Sequence, residues 1–296
     1  MDIRHAAHPG PIVVGVEHSE RSRDALALAR TLARAAGTRV ILAGVYARDA
    51  RSDAESTLER IARPLGGVRA ELRAIPGTSV SRALQQLASD EGALAIVVGP
   101  SHRGRVGRIV PGSVGTRLLH GAPCPVVIAP TGYWGGGQPP IRRIGVGYGG
   151  SPESAEALDA AVGLATCTGA SVRVLGVVEP AAITAAVPSG LSYVQREEST
   201  RADLTEGLQH AIDLAAAPVE IAGEIADGYA DDELARLSGD VDLLICGSRG
   251  HGPLGSVMLG SVSAGVLRKA RSPVLISPRG ARDGFAALRA HSTAAA

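Results

Sequence analysis

The chain has 296 residues, a length that suits two domains of ordinary size. Its formal charge is +1, from 30 basic and 29 acidic residues, and no basic stripe carries interleaved aromatic residues, which argues against a nucleic-acid binder. No uninterrupted apolar stretch reaches the roughly 18 residues of a membrane span, and the first residues lack a secretory apolar core. We therefore expect a soluble, cytoplasmic protein with no membrane partner.

Short apolar strands alternate with helices along the first half of the chain. IVVGV is the first predicted strand, and Arg21 to Ala36 then places alanine and leucine on one helical face, with Gly37 positioned to end the helix. The elements predicted after this helix are strand VILAGV, helix Asp53 to Leu65, strand AELRAI, helix Val80 to Glu91, strand ALAIVVG, helix Val114 to His120 and strand PVVIAP.

The second half of the chain repeats the first. The offset between matching residues grows from 132 to 148 positions, so the second copy carries about sixteen extra residues, which we place in the Pro/Ala-rich segment Glu179 to Thr200 as a longer loop or lid. Its first helix has its own start signal, Ser151-Pro152-Glu153. Matching pairs include Gly15 and Gly147, Ser22 and Ser154, Gly112 and Gly260, and Ser113 and Ser261.

Composition between and after the copies sets the predicted domain boundaries. We place the two domains at residues 9–131 and 141–279, joined by a linker at 132–140 that contains three consecutive glycines and paired prolines. Residues 280–296 form a tail without strand character, in which 285–290 could be a short helix.

The alternation predicts the fold class. Because a helix separates each strand from the next, the crossovers should be right-handed and the strands parallel, giving an α/β protein with two doubly wound five-stranded parallel sheets, Rossmann-like. Ligands of such sheets bind at the carboxyl ends of the strands, where the strand order reverses.

A glycine-rich segment follows the apolar strand VDLLIC of the second copy. Gly247 and Gly250 can bring backbone N–H groups toward an anion with no Cβ in the way, and Gly260-Ser261 opens a helix whose positive end faces the same point. This pattern is typical of a site that holds phosphates, although a glycine-rich turn without a ligand fits it too.

The spacing G-x-x-G, nine residues, then G-S resembles the ATP-binding signature of the universal stress protein family. The segments VDLLICGSRGHG and SPVLISP resemble that family as well, and the resemblance covers nearly all of both copies. It implies a fold of the adenine nucleotide alpha hydrolase type, with the last strands PVVIAP and PVLISP pairing across a two-fold axis as an intrachain pseudo-dimer. Further homo-oligomerisation and unknown protein partners stay open.

The resemblance also implies which residues contact nucleotide. In the second copy these are Gly247, Gly250, Gly260 and Ser261 at the phosphates and ribose, Val177 near the adenine, and Gly149. In the first copy the corresponding residues are Gly99, Gly112, Ser113, Val45 and Glu17.

Both copies depart from the family pattern. In the first, His102 takes the place of the second glycine, which weakens the phosphate loop or shifts it toward Gly104. The family typically has an aspartate after the first strand, where this chain has Glu17 in one copy and Gly149 in the other. The second copy thus has the better phosphate loop, and the first has the better candidate for reading the base.

The resemblance implies an ATP-binding regulatory protein, with Mg²⁺ held mainly by the phosphates and no catalytic residue. Two alternatives stay open, an interaction module with vestigial sites and a weak ATP-hydrolysing enzyme. No Walker lysine follows a glycine loop and no Ser/His/Asp or Cys/His set has recognisable spacing, which argues against the enzyme.

Cysteine and acidic residues show no metal-ligand spacing. Cys124, Cys167 and Cys246 are far apart and form no C-x-x-C, so we interpret them as small buried residues. For Asp231 and Asp232 we predict a helix-start or solvated role, and we predict no metal site in the protein.

Overall fold

A computed structural model describes residues 9–17, 21–47, 50–62, 65–100, 109, 112–136, 140–180, 193–215, 218–248, 260–278, 280 and 284–289. Within these residues each copy shows five strands and four α-helices in strict alternation, as predicted. The elements of the first copy are β1 (Ile12–Val16), α1 (Arg21–Ala35), β2 (Val40–Tyr46), α2 (Arg51–Ala62), β3 (Ala70–Pro76), α3 (Val80–Asp90), β4 (Ala95–Val98), α4 (Ser113–Leu118) and β5 (Val126–Ile128).

The second copy has the same order of elements. They are β6 (Arg143–Tyr148), α5 (Pro152–Thr168), β7 (Ser171–Val178), α6 (Tyr193–Ala215), β8 (Ile221–Asp227), α7 (Ala230–Leu237), β9 (Leu243–Gly247), α8 (Ser261–Lys269) and β10 (Val274–Ser277). Helix α5 starts as its sequence indicates, because the Ser151 hydroxyl accepts a hydrogen bond from the N–H of Ser154 at 3.3 Å.

All ten strands form one sheet, in the order β3-β2-β1-β4-β5-β10-β9-β6-β7-β8. Strands pair in parallel within each copy, and the copies join where β5 and β10 pair antiparallel, with Leu275 opposite Val127. The predicted doubly wound fold and intrachain pseudo-dimer are therefore confirmed. The two five-stranded sheets are continuous, because the apolar edge strands of the two copies satisfy each other's backbone groups.

The hydrophobic core consists of two layers, one on each face of the sheet. Alternate residues of a strand enter opposite layers, as Val13 and Val14 of β1 show. Each layer contains residues from both copies, so neither half buries a core that is separate from the other.

The segments after β5 and β10 play equivalent structural roles. A 3₁₀ helix at Tyr133–Gly136 packs on α1, and another at Gly284–Ala287 packs on α5. Phe285, in the predicted short tail helix, is fully buried. The linker and the tail therefore both complete the core beside the first helix of a copy.

The predicted lid in the second copy needs correction. Residues 193–200 are the first turns of the 23-residue helix α6, while residues 181–192 lie outside the described residues. The helix forms because Leu204, Leu208 and Ile212 recur every four residues and contact the sheet, Leu208 being buried.

Candidate functional site

Two crevices lie at the points where the strand order of each copy reverses. Strand β1 pairs with β2 on one side and β4 on the other, and β6 pairs with β7 and β9 in the same way. Helix α1 after β1 and helix α4 after β4 therefore pack on opposite faces of the sheet, as α5 and α8 do in the second copy, and a cavity opens at the carboxyl ends of the strands. The two cavities occupy equivalent positions in the two copies.

Cavity 1 belongs to the first copy and has a volume of about 960 Å³. It lies among the carboxyl ends of β1, β2 and β4 and the start of α4. All the site residues predicted for this copy line it, namely Glu17, Val45, Gly99, Gly112 and Ser113.

Cavity 2 belongs to the second copy and has a volume of about 1010 Å³. It is bounded by β6, β7 and β9, by the start of α8, and by the long helix α6. The predicted residues Gly149, Val177, Gly247, Gly260 and Ser261 line it. Gly250 lies outside the described residues, as does His102 of the first copy.

Glycine precedes the helix that begins at each cavity, α4 in the first copy and α8 in the second. Gly260 is the N-cap of α8, with φ −60° and ψ 153°, and Gly112 is the N-cap of α4, with φ −72° and ψ 173°. Neither residue has a side chain to accept a hydrogen bond from the first-turn N–H groups. These donors and the positive end of the helix therefore face the cavity without a capping group from the N-cap residue.

Gly247 is required for the packing of β9 against α5. A Cβ on Gly247 would lie 2.6 Å from the carbonyl carbon of Glu153, in the first turn of α5. Gly247 does not have a positive φ. The sequence interpretation, in which this glycine frees space for an anion, misses the close approach of β9 to α5.

A hydrogen bond ties helix α8 to strand β9 beside cavity 2. The hydroxyl of Ser263 in α8 donates to the carbonyl oxygen of Gly247 at 3.1 Å. In turn, the N–H of Ser248 donates to the carbonyl oxygen of Ser277 at 2.9 Å. Gly247 and the start of α8 are thereby held in fixed positions relative to each other.

Carboxylates, rather than cations, occur among the described lining residues. Cavity 1 has Glu17 and Asp53, cavity 2 has Glu179 and Asp203, and no described lining residue is basic. Basic residues adjacent in sequence lie outside the described residues, namely His102, Arg103, Arg249 and His251. An anion bound against the described walls of either cavity would therefore be held by backbone N–H groups and by the positive end of the helix.

Glu17 lies where β1 leaves the sheet. Its backbone N–H donates to the hydroxyl of Ser22 at 2.9 Å, and that hydroxyl donates to the carbonyl oxygen of Glu17 at 2.8 Å. These bonds fix the backbone at the mouth of cavity 1. The Glu17 side chain is exposed there.

Two residues of cavity 2 were missed by the sequence interpretation. The Tyr148 hydroxyl at the end of β6 donates to the carbonyl oxygen of Gly207 in α6 at 2.9 Å, and burial raises the pKa of this phenol. Glu179, after β7, accepts a hydrogen bond from the N–H of Ala230 at 2.9 Å and so caps α7. The signal for Tyr148 was its place directly before Gly149.

Cysteines and paired acids do not form a reactive centre among the described residues. Cys246 lines cavity 2, but burial raises the pKa of its thiol to about 12, so it is protonated at neutral pH. Cys124 is buried too, whereas Cys167 is exposed, which corrects the interpretation of all three as buried. Asp231 and Asp232 lie in the first turn of α7, and both bind Lys269 at 2.7 Å.

No group of three or more His, Cys, Asp or Glu residues that could hold a metal ion occurs in the described part of the chain. Among those same residues, no helix combines the length and the apolar character needed to cross a membrane.

Fold and cavities together define a tandem doubly wound α/β protein with a ligand-sized crevice at the carboxyl ends of the strands of each copy. The model of the universal stress protein family matches residues 9–130 and 140–278, which is most of the chain. The chain therefore belongs to the universal stress protein family.

Curated relatives carry the same family name. The chain is 30% identical over 202 residues to a universal stress protein of Mycolicibacterium smegmatis, covering 67% of this chain and 65% of that protein. It is 34% identical over 145 residues to YxiE of Bacillus subtilis, covering 46% of this chain and 98% of YxiE. Against universal stress protein Rv1996 of Mycobacterium tuberculosis, at 30% identity, the match spans about half of that protein's length, 47%.

Solved structures share the whole tandem fold. A Pseudomonas aeruginosa protein of unknown function is 18% identical, with a TM-score of 0.65 over 97% of this chain and 98% of that one. A universal stress protein from Archaeoglobus fulgidus is 20% identical, with a TM-score of 0.61 over 90% and 95% of the two chains. At these identities the likeness establishes the fold.

Proposed function

We propose that this universal stress protein binds ATP with Mg²⁺ in its two cavities and acts as a regulatory protein through a nucleotide-dependent conformation or partner. The observation that carries the proposal is the start of α8, where Gly260 leaves the first-turn N–H groups uncapped by its own side chain beside cavity 2. Cavity 2 has a volume of about 1010 Å³, which suits a nucleotide.

The predicted contact residues support this function by their placement. Val177 lies at the end of β7, away from the phosphate side, while Gly260 and Ser261 lie at the start of α8. A nucleotide would thus place its base toward β7 and its phosphates at the helix start. In cavity 1, Val45 and Ser113 supply the same arrangement.

Magnesium fits the charge of the cavities. The carboxylates Glu17 and Asp53, or Glu179 and Asp203, would repel a bare triphosphate, and Mg²⁺ coordinated by the phosphates reduces that repulsion. The described residues provide no metal cluster of their own, so the ion would be held mainly by the phosphates.

We further propose that binding occurs without a committed reaction. No described lining residue is a histidine that could activate a nucleophile, and the one cysteine, Cys246, is a protonated thiol. Nucleotide binding would then change the conformation of the protein or its affinity for a partner. A nucleotide can drive such a change only if it binds one conformational state more tightly than the other.

Aspartate at the N-cap glycines tests the proposal. Gly260→Asp fits the observed backbone, since its φ and ψ are extended, and the new carboxylate would occupy the first-turn N–H groups and repel phosphate. We expect unchanged or slightly higher stability and loss of Mg-ATP binding in cavity 2 by calorimetric titration. Gly112→Asp should do the same in cavity 1, and Gly260→Ala is the uncharged control.

The outcomes separate the possible functions. Loss of one binding equivalent in each aspartate variant supports ATP binding at these helix starts. An unmodified protein that releases no nucleotide on denaturation and gives no titration heat would overturn the proposal and favour the interaction module. Substantial ATP turnover that Gly260→Asp abolishes would favour the enzyme.

A further inference from the structure

The two cavities differ at the end of the central strand. At matched positions, cavity 1 has Val16 and Glu17, and cavity 2 has Tyr148 and Gly149. Cavity 2 therefore has an aromatic ring where cavity 1 has an aliphatic side chain. It also lacks the carboxylate that cavity 1 has at the next residue.

The Tyr148 ring spans from the sheet to α6 and is held at both ends. Its backbone is in β6, and its hydroxyl donates to the carbonyl oxygen of Gly207 at 2.9 Å. The ring is half-buried, contacts the hydrophobic core and lines cavity 2. A ring fixed in this way loses little conformational entropy when a ligand stacks on it.

Glycines surround Tyr148 along the chain and across the strands. Gly147 and Gly149 flank it in sequence, and Gly176 is its partner in β7. The bond to Gly207 adds a fourth glycine, in α6. Of these, Gly176 lies on the face of the sheet that the Tyr148 ring occupies and has no side chain that could cover it, whereas a Cβ on Gly147 would face the opposite layer, toward Leu234 and Cys246.

We propose that Tyr148 is the base-stacking residue of cavity 2 and makes this cavity select purine over pyrimidine nucleotides. The proposal rests on the nucleotide binding proposed above. Stacking of a base on an aromatic ring strengthens binding by about tenfold, and a purine presents more π surface than a pyrimidine. Cavity 1, with Val16, would discriminate less by stacking.

The test compares ATP with CTP, which share the triphosphate and differ in the base. Calorimetric titrations are made with Mg²⁺ in a Gly112→Asp background, so that cavity 2 alone is measured. Tyr148→Leu keeps an apolar side chain but removes the ring, and we expect about tenfold weaker ATP binding and an ATP-to-CTP affinity ratio that falls toward one. Tyr148→Phe keeps the ring, so its ATP affinity and its ATP-to-CTP ratio should stay within about twofold of those of the protein with Tyr148.

A structural role for Tyr148 predicts a different pattern. If the hydroxyl bond to Gly207 were what mattered, Tyr148→Phe and Tyr148→Leu would weaken ATP and CTP equally. An unchanged ATP-to-CTP ratio in Tyr148→Leu would overturn the stacking role while leaving nucleotide binding intact. Absence of binding of either nucleotide to the unmodified protein would overturn both proposals. Circular dichroism on each variant confirms that it is folded.

Discussion

Gly163 of α5 packs directly against the backbone of Phe285, so that a Cβ on Gly163 would collide with the Phe285 carbonyl group. This approach lets the tail bury Phe285 beside α5. On the other side of the tail, Gly284 lies against Pro125 of the first copy, where an added Cβ would be 2.8 Å from its ring. The tail thus bridges both copies.

Gly163→Ala should destabilise the protein. The added methyl group must displace the tail backbone, and overpacking of this kind costs about 1–3 kcal/mol. Urea unfolding measures the change. Gly207→Ala in α6 is the matched control, because its Cβ would meet only the Tyr148 hydroxyl at 3.5 Å, an ordinary contact, and alanine in a helix is favoured over glycine by about 0.5–1 kcal/mol. Equal stability of the two variants would contradict the packing of the tail on α5.

Gly247→Ala should lower stability even when no nucleotide is present. The methyl group would meet the backbone of Glu153, so β9 and α5 must move apart at a cost of about 1–3 kcal/mol. Thermal unfolding in nucleotide-free buffer measures this. Gly135→Ala has nothing within 4 Å of the new Cβ and should be neutral. If Gly247→Ala left the unfolding temperature of the nucleotide-free protein unchanged and reduced only the increase caused by ATP, the packing role of Gly247 would be contradicted.

The case of Gly247 shows how far the sequence predicts the site. The glycine pattern and the repeat locate both cavities, since every described residue that was predicted for the site lines one of them. The pattern does not say whether a glycine admits a ligand or a neighbouring helix, because both require the absence of a Cβ. Only the approach of α5 to β9 distinguishes them.

The fold was more predictable than the walls of cavity 2. Strand and helix periodicity gives the alternation, and the family resemblance implies the junction between the last strands of the two copies. The contribution of α6 was missed because the sixteen extra residues were placed as a loop or lid over 179–200, a segment that overlaps the start of this helix. Tyr148 and Gly207 are distant in sequence, so periodicity could not bring them together.

Asp24 anchors the linker, and its removal should loosen Trp134. The buried Asp24 carboxylate accepts the N–H of Gly132 at 3.0 Å and that of Trp134 at 2.9 Å. Asp24→Ala leaves both donors without this partner, which costs about 1–3 kcal/mol. Because Trp134 is the one tryptophan of the chain, its emission should shift to longer wavelength.

The control for Asp24 is an exposed aspartate of the same copy. Asp90 accepts a hydrogen bond from Gln86 within α3, at 2.8 Å, and Asp90→Ala should change neither emission nor stability beyond about 0.5 kcal/mol. An unshifted Trp134 spectrum in Asp24→Ala would contradict the anchoring of the linker on α1.

Thiol reactivity should distinguish the three cysteines. Cys167 is exposed on α5, and partial burial raises the pKa of its thiol, whereas Cys124 and Cys246 are buried, and full burial raises the pKa of Cys246 to about 12. Since the thiolate is the reactive form, a disulfide reagent at pH 8 should label one thiol rapidly in the folded protein and all three in urea. Cys167→Ser should remove the rapid phase. Rapid labelling that persists in this variant would contradict the burial of Cys124 and Cys246, and its loss on the further change Cys246→Ser would show that cavity 2 exposes Cys246.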